Sequence, residues 1–514
     1  SIFHKYQRYH PNLLMQDIKE YSTAKILEVY AYYSAAENGA AAEKGTLLRF
    51  IQQKSTNKAS LILPGLTPVT ATFDRSCYPV YCDHWVSNVI SRTKFLNVLN
   101  DTLGFTIKAN FNAGVVAAGE AQIESTVSGN TPSDSAASTD DNARKKALSD
   151  QGQVYLPINN ALSSVGHVHW FLKEIGQGVQ HIASRVEDLP AFVQRANYYR
   201  KVTGEGLTFL DIPRSYYGVL NVDRLRCLEG SEYDKQATDA LSQSCASTIM
   251  AIMEKLKFVA ADGALNLDVS KDEIDAALIS SLRPHSIGND DVFQEYAARK
   301  EFILQTILRS RYINLYKLLL NRLSEDSYLK ILRNKILVDV QGNDLLFQIF
   351  TCNILQRNSG EEAPFLEFIQ RSCSADKFTS GCGGFGIRNF LTLFLSIELS
   401  KAASEVINAR KSGDKRRLLY YQNMVDMFNA QLSESNPILT EISDAMTLEG
   451  IATENWKKAV EESKEDQANK WQREMERCAN AKQSGNEKLM HCSERYRLKM
   501  QRLRRDNVIR GQND

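Results

Sequence analysis

The period of hydrophobic and polar positions changes several times along the chain. Residues 1–75 join an amphipathic stretch at 18–43 to a short apolar run at 59–66 that Pro64 and Gly65 interrupt, the pattern of a small α+β unit. From 83 to 128 helix-like and strand-like segments alternate, and a second alternation runs from 154 to 217. Between them, 131–150 is rich in Ser, Asp, Ala and Lys with hardly a large apolar residue, which predicts a solvated, disordered loop. Residues 221–330 read differently: Phe293, Tyr296, Ile303, Leu304, Ile307 and Leu308 recur mostly at three- and four-residue steps, and Ser270 with Glu273 has capping-box spacing. This predicts an all-helical insertion. Strand-like sequence returns at 335–350 and 365–370, a glycine-rich turn follows at 381–386, and a helical pattern resumes beyond 408. From 456 to 505 most residues are charged or polar, the profile of a long exposed helix or coiled-coil arm.

Composition narrows the functional classes. With 514 residues, 43% of them hydrophobic, the chain can bury more than one core. Lys and Arg (62) balance Asp and Glu (61), so no global field draws nucleic acid or anionic lipid, and no nucleic-acid partner is predicted. The longest apolar stretch, 390–399, is broken by Thr392, Ser396 and Glu398 and falls far short of the roughly 20 residues of a spanning helix. A soluble protein without a transmembrane segment is expected. Nine cysteines without a CxxC pair argue for a reducing compartment, cytoplasm or mitochondrial matrix, rather than a secreted disulfide framework. The chain opens at Ser1 without a signal-peptide pattern, so either an import segment has been removed or the numbering starts inside a longer product. Cys77 with Cys82, and Cys478 with Cys492, lack zinc-ligand spacing and read as free thiols, although the second pair could bridge two helices. No Lys-Ser/Thr follows the glycines at 381–386, so they do not make a phosphate loop.

Three strand-like segments each carry a possible metal ligand: Asp83-His84-Trp85-Val86, Gly178-Val179-Gln180-His181-Ile182-Ala183 and Phe365-Leu366-Glu367-Phe368-Ile369-Gln370. Two imidazoles and a carboxylate are the set that binds Fe(II) on one face and leaves the other positions open. Taken singly, each is as well explained as an ordinary polar strand residue.

Together, in order, these segments, the strand Leu346-Phe347-Gln348-Ile349-Phe350-Thr351 and the turn Gly383-Gly384-Phe385-Gly386 with Asn389-Phe390 resemble 4-hydroxyphenylpyruvate dioxygenase. Phe209-Leu210-Asp211-Ile212-Pro213 and Pro157-Ile158-Asn159 add to the likeness, which covers residues about 60–220 and 330–400. The resemblance implies an α+β fold of the vicinal oxygen chelate type, in which paired βαβββ modules form an open barrel around the metal. It divides the chain into a shortened N-terminal α+β region (1–75), the first part of the catalytic domain (76–220), the helical insertion (221–330), the remainder of the catalytic domain (331–410) and a helical C-terminal extension (411–514). The histidines at 84 and 181 are 97 residues apart and the glutamate at 367 lies 186 beyond the second; the insertion accounts for the longer interval.

What the resemblance implies chemically is an Fe(II) site on His84, His181 and Glu367 that takes a 2-oxo acid and dioxygen, decarboxylates the acid oxidatively and hydroxylates it, with homogentisate as the family's product in tyrosine catabolism. Gln180 and Gln348, with Asn389, would supply catalytic hydrogen bonds, and Phe350, Phe385 and Phe390 would wall the ring. Ser125 and Asn159 match positions that hold the substrate's polar end, although strand hydrogen bonding would explain them too. The chain departs from the family pattern where Ser-Gln-Ile-Gln gives way to Gly166-His167-Val168-His169: His167 stands where an amide helps hold the phenol. His167 and His169 read as a strand pair near the pocket rather than as a second metal site. Arg388 replaces a family glycine. An alternative reading makes the chain a dioxygenase-derived subunit of a larger, possibly mitochondrial assembly, since the helical insertion and the C-terminal arm suit a homodimer or docking on other proteins.

Overall fold

The structure, a computed structural model, describes residues 2–31, 33–34, 43–44, 47–54, 81–111, 117–118, 121–129, 155–162, 166–227, 241–260, 262–283, 290–319, 322–341, 344–352, 361–372 and 387–512. The apolar run at 59–66, the polar segment at 131–150, Cys77 and the glycine-rich turn at 381–386 lie outside them. The chain divides into two compact units, one of residues 1–210, 341–425 and 489–514, the other of residues 211–340 and 426–488.

The first unit opens with helix α1 (Ile2–Tyr9) and a small antiparallel sheet of β1 (Lys19–Glu20), β2 (Ala24–Tyr30) and β3 (Leu47–Gln53). Strand β2 alternates Ala24, Ile26 and exposed Lys25 along its length, and Tyr6 and Leu13 pack on Leu27 and Val29.

A larger, curled sheet follows. Its first module runs β4 (Tyr81–Asn88), helix α2 (Arg92–Leu103), β5 (Thr106–Phe111), β6 (Ala121–Gly129) and β7 (Tyr155–Ala161). The Ser91 hydroxyl caps α2, Gly104 at φ 72° ends it in the left-handed conformation, and Phe95 and Leu99, one helical turn apart, bury against Leu156 and Ile158. Helix α3 (His167–Glu174) bridges to the second module, β8 (Gly178–Arg185) and α4 (Leu189–Thr203), which is capped by Asp188 and ended by Gly204. The expectation of a strand at 166–169 is thereby corrected: His167 and His169 lie on a helix. Val168 between two histidines mimics strand alternation over three residues, but burial of His167, Val168 and Phe171 follows the helical period, and Gly166 at φ 89° starts the turn.

After α4 come helices α5 (Val222–Arg226), α6 (Gln243–Lys255), α7 (Lys271–Leu282), α8 (Asp290–Arg309), α9 (Ile313–Leu318) and α10 (Glu325–Arg333), then the strands β9 (Leu337–Gln341), β10 (Asp344–Phe350) and β11 (Phe365–Ser372). The chain order β8-α4-β9-β10-β11 repeats that of the first module around this interruption. In the first unit the sheet order is β10-β11-β8-β4-β7-β6-β5. Each module pairs its first strand in parallel with its last, β4 with β7 and β8 with β11, and the two first strands join antiparallel at the centre. The modules therefore relate by a local two-fold, and their first strands face one another where the site lies. Helix α11 (Ile387–Ser412) belongs to the same unit.

In the second unit α5–α8 close over an apolar core that includes Leu220, Leu225, Ile249, Met253, Ile274, Leu278 and Ile307. Helix α7 carries a complete capping box, Ser270 with Glu273. Gly218 is required by close approach, since a Cβ there would meet the Ser310 carbonyl. The chain ends in two long helices, α12 (Lys415–Glu461) and α13 (Glu465–Gln512), which run back along each other: Lys482 pairs with Glu449, Lys488 Nζ with Glu441 at 3.1 Å, and Thr453 Oγ1 approaches Met475 Sδ at 3.2 Å. Leu489, Tyr496, Cys478 and Cys492 are buried, so these arm positions are covered by the chain itself, and no disulfide joins the two cysteines. Among the described residues, no helix is long and apolar enough to cross a membrane.

Candidate metal centre

The site is built from one cross-strand row. On the ladder Ala183 faces His84 on one neighbouring strand and Glu367 on the other, and Glu367 in turn faces Phe350. His181, two residues before Ala183, shares its face. Because Ala183 is small, the longer side chains on either side lean together over it.

The result is a convergence of three buried donors. His84 Nε2 and His181 Nε2 each lie 3.1 Å from Glu367 Oε2, and no side chain of the three exceeds 5% exposure. One ligand atom from each falls within 4.8 Å of the others.

Two β-bulges prepare the histidines. The register passes from Ala183–His84 to Ser184–Cys82, leaving Asp83 as an extra residue on β4, and from Val179–Ser87 to His181–Val86, leaving Gln180 extra on β8. A regular strand sends successive side chains to opposite faces. The bulges instead bring each histidine onto its predecessor: His84 Nδ1 is 2.8 Å from Asp83 Oδ1, and His181 Nδ1 is 2.9 Å from Gln180 Oε1. An acceptor on Nδ1 holds the proton there and leaves the Nε2 lone pair for a metal.

Glu367 and Asp83 are held as tightly. Gln348 Nε2 donates to Glu367 Oε1 at 2.7 Å, and Asn389 Nδ2 donates to Gln348 Oε1 at 2.7 Å. Arg371 forks onto Asp83 through Nε (2.9 Å) and Nη2 (2.8 Å). Burial would raise the Asp83 carboxyl, but Arg371 and His84 outweigh it and keep it well below the usual carboxylate range. The same contest takes Glu367 down to about 2, with the two imidazoles outweighing burial. Burial would lower His84, yet Glu367 and Asp83 raise it; at His181 burial prevails and lowers it.

This donor set fits a divalent cation. Two imidazoles whose Nδ1 atoms are occupied turn Nε2 on one carboxylate oxygen, and these atoms meet only with positive charge, a proton or a metal ion, among them.

The remaining expected residues fall as follows. The amides of Gln180 and Gln348 are joined to His181 and Glu367, and that of Asn389 to Gln348. Phe350 is buried against His181 at 5.9 Å between ring centroids. Asn159 lies opposite Ser125 in the ladder and donates from Nδ2 to Asn88 Oδ1 at 3.2 Å. Asn159 Oδ1 and Asn88 Nδ2 are buried without a partner. Phe390 falls in the first turn of α11, and Phe385 lies outside the described residues. His167 meets Gln180 and Glu362. Sequence reading missed Asp83 and Arg371 as supports and Phe365, which stacks on His181 at 4.8 Å. Asp83 directly precedes His84, and Arg371 follows Glu367 by four residues on the same strand face, so a search for polar neighbours of His84 and Glu367 could have found both.

No protein-family model matches the chain. Over 78 residues it is 35% identical to 4-hydroxyphenylpyruvate dioxygenases of two Legionella pneumophila strains, Corby and Philadelphia 1, a stretch of 14% of this chain and 20% of each relative. The chain thus spans about 20% of the length of the curated relatives it matches. Among solved structures, a triple mutant of 4-hydroxymandelate synthase from Streptomyces coelicolor aligns over 77% of this chain and 74% of its own at 14% identity, with a TM-score of 0.38. A xylose isomerase-like TIM barrel/4-hydroxyphenylpyruvate dioxygenase fusion protein aligns over 62% and 28% at 15% identity, with a TM-score of 0.28. Over those 78 residues the chain is similar to 4-hydroxyphenylpyruvate dioxygenase, the family its motifs resemble.

Proposed function

We propose that this chain is a non-haem Fe(II) dioxygenase of the 4-hydroxyphenylpyruvate dioxygenase type, acting on an aryl 2-oxo acid. The observation that carries the reading is the convergence of His84 Nε2, His181 Nε2 and Glu367 with both Nδ1 atoms already held. Iron bound by these three residues would supply a Lewis acid for the 2-oxo acid group and the electrons that open oxidative decarboxylation.

The chain's own residues have separate tasks. Asp83 and Gln180 hold the imidazoles in one tautomer, and Gln348 with Asn389 holds Glu367, so the ligands need no rearrangement to bind. Phe350 and Phe365 keep water from the imidazole face and offer an aromatic wall. The unpartnered Asn88 Nδ2 and Asn159 Oδ1, with Ser125 beside Asn159 in the ladder, provide a donor and an acceptor for the substrate's polar end.

Metal analysis of the purified chain and oxygen uptake test the reading. One iron per chain is expected, with uptake and carbon dioxide release on 4-hydroxyphenylpyruvate or phenylpyruvate. A protein that takes up no Fe(II) after anaerobic reconstitution, or that binds it and consumes no oxygen with any aryl 2-oxo acid, would falsify it.

A further inference from the structure

Behind His181 the polar chain continues past Gln180. Gln180 Nε2 lies 2.8 Å from His167 Nε2, and His167 Nδ1 lies 2.8 Å from Glu362 Oε2 though off the axis of a hydrogen bond. Lys401 donates to Glu362 and stands 3.5 Å from Glu398. Gln180, His167 and Glu362 are all buried.

The hydrogen-bond directions in this chain are coupled. An amide has one accepting end and one donating end. His181 presents a free Nε2 only if its proton sits on Nδ1, where it donates to Gln180 Oε1. The Gln180 NH2 group is then turned to His167, whose Nε2 must accept. His167 accordingly carries its proton on Nδ1, beside the Glu362 carboxylate that Lys401 keeps in place. The opposite setting, with the His167 proton on Nε2, would turn the amide round and move the His181 proton to the very nitrogen that faces Glu367.

We propose that His167, Glu362 and Lys401 form a positioning relay that, through Gln180, holds His181 in its metal-binding tautomer. The relay rests on the reading of His84, His181 and Glu367 as the metal ligands. His167, Glu362 and Glu398 also come close enough to hold an ion themselves. That competitor is weaker for two reasons. Lys401 already brings its ammonium to both carboxylates, and a metal on His167 Nδ1 would require the proton on Nε2, the setting that disarms His181.

The test uses the full chain. Nitrogen-15 spectra of histidine-labelled, metal-free protein report the His181 tautomer, and Co(II) absorbance reports affinity and stoichiometry. In Glu362→Gln the charge beside His167 is gone; His181 should shift toward the Nε2-protonated form and Co(II) affinity should fall about 10–100-fold. His167→Leu should do the same, whereas His167→Gln, whose side-chain carbonyl can accept from Gln180, should restore affinity to within a few-fold of the parent. If these variants lose thermal stability alone, with tautomer and Co(II) affinity unchanged, the relay is overturned while the metal reading stands. If the parent binds no Co(II) yet Glu362→Gln still shifts the His181 tautomer, the relay survives and the metal reading fails. Two Co(II) per chain, falling to one in Glu362→Gln, would make His167 a ligand and overturn the relay.

Discussion

The helical core of the second unit and the centre of the sheet in the first enclose different kinds of side chain. In the helical unit Leu220, Ile249, Leu278 and Ile307 are fully enclosed among other apolar groups, each stabilising the fold by roughly 1.5–3 kcal/mol through burial alone. Beside the apolar Val86, Ala183 and Ile369, the central strands of the sheet enclose Asp83, His84, His181, Glu367 and Arg371. Taking such groups out of water costs several kcal/mol per ion, and good geometry recovers only part of it. An apolar core of that volume would stabilise the sheet more. The contrast teaches that the polar cluster is poorly explained by folding and well explained by a task that needs fixed donors.

That contrast can be broken or sharpened by substitution. The largest effect is expected at the proposed ligands: His84→Ala, His181→Ala or Glu367→Ala should lower Co(II) or Fe(II) affinity by more than about 100-fold, because two donors no longer hold an ion. Titration by equilibrium dialysis checks this, and parent-like affinity in any one variant removes that residue from the site.

Next comes the supporting ion pair. Arg371→Met leaves the Asp83 carboxylate buried without its fork, and urea unfolding should show a loss of about 3–5 kcal/mol. The double variant Asp83→Leu/Arg371→Met should regain most of that stability yet bind Co(II) about 10–100-fold more weakly, since His84 Nδ1 has lost its acceptor. Were stability and affinity to recover together, the pair would serve folding only.

In the apolar unit, Leu278→Ala should cost about 3 kcal/mol through the cavity it leaves, with Co(II) affinity unmoved. A fall in affinity there would blur the division between the two regions.

The smallest effect belongs to the capping box of α7. Ser270→Ala should cost about 1 kcal/mol in the same unfolding assay. The Ser270 backbone N–H and hydroxyl hold the Glu273 carboxyl below its ordinary value. Its contribution is therefore complete above that ordinary value and is lost as pH falls through the depressed one, so the variant should show a flatter acid limb. An unchanged limb would mean that the box contributes nothing.

The capping box was legible in advance because its partners are three residues apart and need no other part of the chain. The helical character of 221–330 was legible for a related reason, as apolar positions at helical spacing report their own burial. His84, His181 and Glu367 were visible only through their likeness to a known family, for a histidine or glutamate on a strand is ambiguous by itself. The segment at 166–169 misled because three alternating residues cannot distinguish a period of two from one of 3.6.

Local sequence thus determined periodicity, caps and the identity of the donor atoms, all of which depend on neighbours within a turn or a strand step. Tertiary structure alone decided where those donors meet. The bulges at Asp83 and Gln180 exist because two strands pair out of step, and a one-residue slip in register changes which side chains share a face. Arg371 reaches Asp83 across 288 positions and His84 reaches Glu367 across 283, separations over which no sequence pattern carries a phase. Only the closing of the sheet brings those atoms within 3.1 Å, and that distance turns ordinary polar strand residues into a site.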